Sequence, residues 1–461
     1  MGLSGRKFIL SLGDILICYA ALGLALVSRQ ASLVQLDFYF WHAVSFTPAY
    51  AVWFATLYAI GLYRFRAMRN LADLLQDMLW AWGVNTLLAI AVFYALEPYH
   101  KLTPKTHLLL ASVFAHLGFL AWRQVWVRWG SAKFVVQRVA FIGDSDLIRD
   151  MREEMGGHPQ MGFKEASLPR LVLQDEPEAL WRPTLSKKGQ ALSNVDLIVA
   201  KREEIRGSPS KFRALFSAAV AAGVPVITDV DFYELIRESI PPYHAADMDW
   251  LMTHVLARQR TIYSFFKRWL DLALSLAALL LLSPVFLFIG LISLLSGMRK
   301  PVYRQTRFGL KGSEFLIWKF RTMREGADKG GPDWETPQPN RHTTKWGRIL
   351  RRFRLDELPQ LLNVFMGDMS LVGPRPEWVE EVKVLEKEVA HYHLRHLVKP
   401  GITGWAQINF RATNSPKDSL QKLQYDLYYV KHMSLAFDIR ILLRTIKRVF
   451  LSESSFGAGV S

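Results

Sequence analysis

The residues best suited to chemistry lie between Trp346 and Trp378, in the segment WGRILRRFRLDELPQLLNVFMGDMSLVGPRPEW. Adjacent acidic residues such as Asp356 and Glu357 usually mark an exposed turn. Here Arg348, Arg351, Arg352, Arg354 and Arg375 surround them, and Leu355, Leu358, Leu361 and Leu362 bracket them. Neighbours on a helix point about 100° apart, so one carboxylate can face a substrate phosphorus while the other binds a metal. Carboxylates are hard oxygen ligands of the kind Mg²⁺ shares with waters and substrate phosphates. They are also nucleophiles in transfers that pass through an aspartyl phosphate. Phosphate chemistry is the reading that uses both properties.

What positions this pair begins upstream. The run VYRQTRFGLKGSEFLIWKFRTM alternates Arg304, Arg307, Lys311, Lys319 and Arg321 with apolar and glycine residues. Alone, it also describes a basic strand edge resting on lipid headgroups. It follows KRWLDLALSLAALLLLSPVFLFIGLISLLSGMRK directly, however, and that suits a site holding a diphosphate close to a bilayer. The apolar core of that segment, residues 272–295, is long enough to span, yet Lys267 and Arg268 flank one end and Arg299 and Lys300 the other. Ser283 and Pro284 sit at its middle, where proline removes a helix hydrogen bond and disfavours helix in the residue before it. A broken, re-entrant hairpin over about 266–297 satisfies both observations, with a proline-kinked crossing helix as the alternative.

Four further apolar segments, residues 8–27, 46–63, 78–96 and 108–127, are long enough to cross a bilayer. The first lacks a small-residue cleavage site and reads as a retained helix. Arg6, Lys7, Arg64, Arg66, Arg69, Arg123, Arg128 and Lys133 fall on one side of these segments, against Arg29, Lys101 and Lys105 on the other. The positive-inside rule then puts both ends of a four-helix bundle in the cytoplasm. From about residue 134 the character changes. FVVQRVAFIGDSD, VDLIVA (195–200) and VPVITDVD (224–231) read as strands, alternating with helix-like IRDMREEM and FRALFSAAVAAG. That is a Rossmann-like parallel α/β module. Its first turn reads GDSD where a dinucleotide fingerprint needs three spaced glycines, so a scaffolding or regulatory role fits better than cofactor binding.

The whole-chain composition agrees. In 461 residues, 51% are hydrophobic although 57 are Lys or Arg, so apolar and basic residues must be segregated. The net charge of +16 is accompanied by no zinc spacing and no helix-turn-helix or aromatic nucleic-acid motif. Anionic lipid and phosphate substrates, not nucleic acid, are the expected partners. One cysteine, Cys18, excludes an intrachain disulfide and a Cys-based metal site. The tail LQKLQYDLYYVKHMSLAFDIRILLRTIKRVF suits either an amphipathic interfacial helix or a helix packed on the preceding domain. His391, His393 and His396 lack carboxylates at metal-site spacing and read as a basic helical face.

The motifs KRWLD, the Ser-Pro break, YRQTRFGLKGSEFLIWKFRTM, RRFRLDELPQLLNVFMGDMSLVGPRPE and KPGITGWAQIN (399–409) resemble, in order, the bacterial sugar transferase family, the polyprenyl-phosphate hexose-1-phosphate transferases. The resemblance covers roughly the last two fifths of the chain. The bundle and α/β module resemble the long-form architecture of the same family. The resemblance implies that Asp356 attacks the sugar-bearing phosphate of a UDP-sugar, releasing UMP, and that undecaprenyl phosphate takes the phosphosugar from the enzyme. It makes Glu357 the Mg²⁺ ligand. It assigns phosphates to Lys319, Arg321, Arg351 and Arg375, and a nucleotide or sugar contact to Gln407 and Asn409. It implies a bacterial inner (cytoplasmic) membrane protein that starts exopolysaccharide, capsule or O-antigen synthesis, with glucose, galactose or a modified hexose as cargo and a homodimer as a compatible assembly. One departure is PNRHTTKWGR, with Asn340 where members often carry an aspartate in a DPRIT-like stretch.

The expected fold is membrane α plus α/β: a four-helix transmembrane bundle (1–130), the Rossmann-like module (131–250), and the hairpin with a small α+β catalytic domain (260–461). Two competing readings are a membrane-anchored nucleotide-sugar epimerase, which the glycine-poor turn at Gly143 disfavours, and a non-enzymatic assembly scaffold, which leaves the Asp-Glu pair unexplained.

Overall fold

The computed structural model describes residues 3–30, 35–63, 71–100, 105–126, 136–157, 162–168, 192–202, 209–241, 261–296, 298, 300–323, 343–410 and 416–450. Its contacts divide the chain into two compact units, Met1–Tyr233 and Glu234–Ser461. The expected segments around Asn340 and Arg299 lie outside the described residues.

The first unit opens with α1 (Leu3–Gln30), α2 (Leu36–Ile60), α3 (Leu71–His100) and α4 (Lys105–Val125). Each carries a stretch long and apolar enough to cross a membrane: Phe8–Ser28, Leu36–Ile60, Leu74–Leu96 and Thr106–Val125. The second begins ten residues earlier than expected, because Asp37 and His42 interrupt its hydropathy without interrupting the helix; His42 Nδ1 lies 2.9 Å from the Phe38 carbonyl one turn back. Arg123 corrects the orientation argument. It is not a flanking charge: its Nη1 and Nη2 donate to Asp14 at 2.6 and 2.7 Å, and both side chains are fully buried. Tyr63 donates to the same carboxylate at 2.7 Å. A buried guanidinium is tolerable only when paired in this way. The other flanking charges, or their side chains, fall outside the described residues. Cys18 is buried in α1.

The unit continues with β1 (Gln137–Ile142), α5 (Asp146–Gly157), β2 (Phe163–Glu165), β3 (Leu197–Ala200), α6 (Pro209–Ala222), β4 (Val226–Thr228) and the start of α7 (Asp229–Arg237), whose residues from Glu234 on belong to the second unit. The strands form a parallel sheet in the order β2-β1-β3-β4. Ala140, Ile142, Ile198 and Ala200 pack against Leu215, Ala218 and Ala219 of α6. Two details differ from the expectation. The third strand stops at Thr228, and Asp229 and Asp231 instead occupy the first turn of α7, where acidic side chains complement the helix dipole. The edge strand β2 was not anticipated, being three residues long. At the GDSD turn, Asp144 lies 3.7 Å from Arg149 and 4.0 Å from Arg152 of α5, so its charge is answered locally.

In the second unit α8 (Thr261–Leu281) and α9 (Ser283–Leu295) are apolar helices bent by 58° at the Ser-Pro step. Pro284 stands in the first turn of α9, where its missing N–H costs nothing. Next come the antiparallel hairpin β5 (Val302–Phe308) and β6 (Glu314–Phe320), α10 (Lys345–Arg352), a 3₁₀ turn (Leu355–Glu357) and α11 (Gln360–Met366). After them follow β7 (Ser370–Val372), α12 (Val379–Glu388), a 3₁₀ turn (Tyr392–Leu397), β8 (Gly401–Thr403), α13 (Trp405–Asn409), α14 (Pro416–His432) and α15 (Leu435–Phe450). The short strands β7 and β8 pair in parallel. The unit starts at Glu234, upstream of the expected 260. Glu234 accepts from Lys431 at 2.9 Å and Glu238 from Arg440 at 2.9 Å, which fastens this segment to the last two helices.

Both ends of the bent pair are rooted in this unit. At the start of α8, Tyr263 and Lys267 donate to the buried Asp438 at 2.7 and 2.9 Å, Arg268 donates to the Val364 and Phe365 carbonyls at 2.6 and 2.7 Å, and Asp271 accepts from the Leu371 N–H at 3.0 Å. In α9, Ile289 is buried with Phe320 and Leu350, and Ser293 accepts from Trp346 Nε1 at 3.2 Å. Between these roots Leu280, Leu281, Leu287 and Phe288 are exposed. The tail is two helices, broken at Met433 and Ser434 and packed on the unit: Tyr429, Phe437 and Ile441 share a core with Trp405 and Val372.

Candidate active site

The apolar bracket read from the sequence becomes the floor under the carboxylates. Leu355 and Leu358 pack on Ile289 of α9, Phe320 of β6 and Leu350 of α10. Arg354, in the left-handed region at φ 54°, ends α10 and turns the chain into the 3₁₀ segment that carries Asp356 and Glu357. The pair therefore stands on a 3₁₀ turn, not an α-helix. With three residues per turn the two side chains diverge by about 120°, more than expected. The close approach of α10 to the chain just after β6 is set by Gly347: a Cβ there would fall 2.1 Å from the Thr322 carbonyl oxygen.

Three of the expected cations converge on the dyad. Arg375 Nη2 donates to Glu357 Oε1 at 2.7 Å, and Lys319 Nζ, opposite Tyr303 in the β5–β6 register, lies 3.7 Å from the same oxygen. Arg351 is exposed, its Nε donating to Thr322 Oγ1 at 3.0 Å, and its charge acts on Asp356. Burial raises the Glu357 pKa, but Arg375 first and Lys319 second more than reverse it, holding the carboxyl at about 2. Asp356 moves the other way. Burial, then the neighbouring Glu357 charge, raise its pKa, with Lys319 and Arg351 opposing. Burial, followed by repulsion from Arg375, brings Lys319 down to about 8. Two adjacent carboxylates thus have separated acidities, one held below the ordinary carboxylate range and one raised above it.

The remaining expected residues sit elsewhere. Arg321 donates from Nε to the Lys300 carbonyl at 3.1 Å and stacks 5.7 Å over Tyr303. Gln407 Nε2 donates to the Ile402 carbonyl at 3.0 Å and Asn409 Nδ2 to the Trp405 carbonyl at 2.9 Å, while Gln407 Oε1 is buried without a partner. Among the described residues no hydrogen bond or ion pair joins these three to the dyad. Ser283 Oγ caps back onto the Leu280 carbonyl at 2.8 Å, at the bend itself. His396 does not belong to a basic helical face: it is buried against Phe308, and burial, with Arg395, lowers its pKa to about 3.

Thr322 and Asn363 were not singled out in the sequence. Fully buried Asn363 accepts from the Trp318 N–H at 3.1 Å and donates to the Leu316 carbonyl at 2.8 Å, clamping α11 to β6 and so fixing Lys319. Its signal, a polar residue amid LLNVFM, was present but ambiguous.

The donor set can be tested against a magnesium ion. Among the described residues no group of three or more His, Cys, Asp or Glu side chains could hold a metal. Asp356 and Glu357 are hard oxygen donors, one of them held ionised, and Mg²⁺ commonly takes one or two carboxylates and completes its shell with water and substrate phosphate. The residues fit that kind of site.

Known proteins are similar to this chain in sequence. The family model described as bacterial sugar transferase matches residues 262–452. The UDP-glucose:undecaprenyl-phosphate glucose-1-phosphate transferase of Escherichia coli is 40% identical over 325 residues, 69% of this chain and 68% of that protein. The UDP-N-acetylgalactosamine-undecaprenyl-phosphate N-acetylgalactosaminephosphotransferase of Aeromonas hydrophila is 36% identical over 197 residues, 43% of this chain and 46% of that protein, so the match spans under half its length. The exopolysaccharide production protein PSS of Rhizobium leguminosarum is 38% identical over 198 residues, 42% of this chain and 97% of that protein. The agreement of ordered motifs, of the segment that builds the dyad and of a relative aligned over more than two thirds of both chains establishes that this protein belongs to the bacterial sugar transferase family.

Proposed function

We propose that the protein transfers a hexose-1-phosphate from a UDP-sugar to undecaprenyl phosphate at the cytoplasmic face of the inner membrane and so initiates exopolysaccharide, capsule or O-antigen synthesis. The observation that carries this reading is the dyad turn, with Glu357 neutralised by Arg375 and Lys319 and its floor shared with α9 of an apolar helix pair. Names of relatives that act on UDP-sugars and undecaprenyl phosphate support it.

The Asp356 carboxylate attacks the sugar-bearing phosphorus, and the bond from that phosphorus to the bridging oxygen breaks. UMP leaves, and the phosphosugar rests on Asp356 as an acyl phosphate. An oxygen of undecaprenyl phosphate then attacks the same phosphorus and restores the carboxylate. Cations must first offset the donor's negative charge so that an anionic nucleophile can approach. Lys319, Arg351 and Arg375 provide them. Glu357, with Asp356 beside it, would hold Mg²⁺, which supplies further neutralisation of phosphate charge when bound.

The bent helix pair supports a re-entrant reading. Lys267, Arg268 and Asp271 bind one end to the unit and Ile289 and Ser293 the other, so both ends lie on the same side. Thirteen-residue α9 is only about 20 Å long, short of a hydrocarbon core of about 30 Å. That arrangement brings a lipid acceptor and a soluble donor to one site. The test is UMP release by nanodisc-held protein with undecaprenyl phosphate and Mg²⁺ across a panel of UDP-sugars. Release with one sugar, lost in Asp356→Asn, is expected; release that persists in that variant would overturn the nucleophile assignment.

A further inference from the structure

The loop that delivers Arg375 to Glu357 is short of ways to be held. It reads Gly373-Pro374-Arg375-Pro376-Glu377, and neither proline has an N–H to donate. The Gly373 N–H donates to the Thr403 carbonyl at 2.9 Å, and the next tethers fall on carbonyls. The Pro374 carbonyl accepts from the Gly401 N–H at 2.8 Å, and the Arg375 carbonyl accepts from Arg395 Nη2 at 3.1 Å. That same nitrogen donates to Asp426 at 2.8 Å, while Arg395 Nη1 donates to the Tyr392 hydroxyl at 2.8 Å and to Glu377. Tyr392 donates to Glu377 at 2.5 Å, and Lys422 pairs with the other Glu377 oxygen. Arg395 and Asp426 are each 1% exposed.

We infer that the buried network of Glu377, Tyr392, Arg395, Lys422 and Asp426 is a positioning device for Arg375, holding its main chain where its guanidinium meets Glu357. Burying two acid–base pairs generally stabilises a fold less than packing apolar side chains of similar volume. A network of this kind is explained by what it orients. Here it closes on the carbonyl of one active-site arginine and on the side chain two residues beyond it. Arg395 suits the task because its planar fork reaches four acceptors at once, which a lysine ammonium on a single stem cannot do.

The kinetic arm of the test rests on the transferase reading, and the exchange arm does not. In full-length protein in nanodiscs, Arg395→Lys is expected to lower kcat for UMP release by roughly 30- to 100-fold, the scale of an ångström-level misplacement. KM for the UDP-sugar should change little. In an Arg375→Lys background the same substitution is expected to cost at most about 2-fold, because the coupled step is already lost. Equal losses in both backgrounds would mean a general structural role and overturn the inference. Amide exchange read on the same protein without substrate is expected to quicken in the peptide carrying residues 355–358 as well as around 373–377. Quickening confined to 392–397 and 416–432 would overturn it as well. Should wild-type protein turn over no UDP-sugar, the functional reading fails and exchange alone decides. If Arg395→Lys does not fold, Asp426→Asn, of nearly the same shape, takes its place with the same expectations.

Discussion

At the scale of single residues, the site is a division of labour between two carboxylates made unequal by their neighbours. In the proposed mechanism Asp356 acts as an anion, so the half-reaction releasing UMP should be lost as pH falls through its raised pKa; the acid limb of kcat/KM is expected above the ordinary aspartate range. Lys319 acts as a cation, so activity falls as pH rises through about 8, and Lys319→Arg should remove that alkaline limb. A pH profile of burst UMP formation without acceptor reads both limbs, and an unchanged alkaline limb in the arginine variant would remove Lys319 from the assignment. The acid-acid pair amid arginines was legible in the sequence. Which arginine meets which acid was not, because Arg375 arrives from a loop 18 residues away and Arg351, nearer in sequence, turns to Thr322 instead.

Among the elements, the close crossing of α10 over the chain after β6 carries a sharp expectation. Gly347→Ala would put a methyl group inside the van der Waals radius of the Thr322 carbonyl, and overpacking of that kind costs typically about 1–3 kcal/mol. Thermal unfolding of the second unit should drop accordingly, with UMP release falling as Thr322 and its partner Arg351 shift. The bend between α8 and α9 is testable by labelling. Ile262→Cys and Lys311→Cys, both exposed, should react with an impermeant thiol reagent from the same side of sealed vesicles, with buried Cys18 silent. Reaction from opposite sides would replace the hairpin with a crossing helix. The break itself was readable from Ser283 and Pro284. The split of the tail into α14 and α15 was not, since Met433 and Ser434 carry no proline or glycine to announce it. Nor was β2, whose pairing with β1 rests on backbone bonds and not on a hydrophobic pattern.

On the scale of the molecule, the two units answer to different physics. The first is held together in part by Asp14 and Arg123, and Asp14→Asn would leave a guanidinium buried without its counter-charge; losing one partner of a buried pair costs about 3–5 kcal/mol. Reduced yield of folded protein and a lower unfolding temperature are expected, where an unchanged value would show that water reaches Arg123. The second unit contains every residue assigned to the reaction, and a relative of similar extent is matched over 97% of its length. If the proposed reaction holds, a chain beginning at Asp229, which keeps α7 whole, should still release UMP in nanodiscs at a rate within about 100-fold of the full protein, the coupling scale of remote sites. The four apolar helices and the parallel sheet were visible in hydropathy and strand-helix alternation. The second unit's beginning at Glu234 was not, because Lys431 and Arg440 claim Glu234 and Glu238 from nearly 200 positions away.

The rooting of both ends of the α8–α9 pair has a consequence for how such a protein would experience its membrane. From Asp271 to the bend is ten residues, and α9 adds thirteen, so neither arm extends more than about 20 Å from its anchorage. A wedge of that depth would feel one leaflet only. Its free energy of insertion would follow lateral pressure and headgroup spacing in that one leaflet and would be nearly blind to bilayer thickness. Turnover in nanodiscs of increasing acyl chain length should then stay level, while lipids with small headgroups, which open packing defects at the surface, should change it.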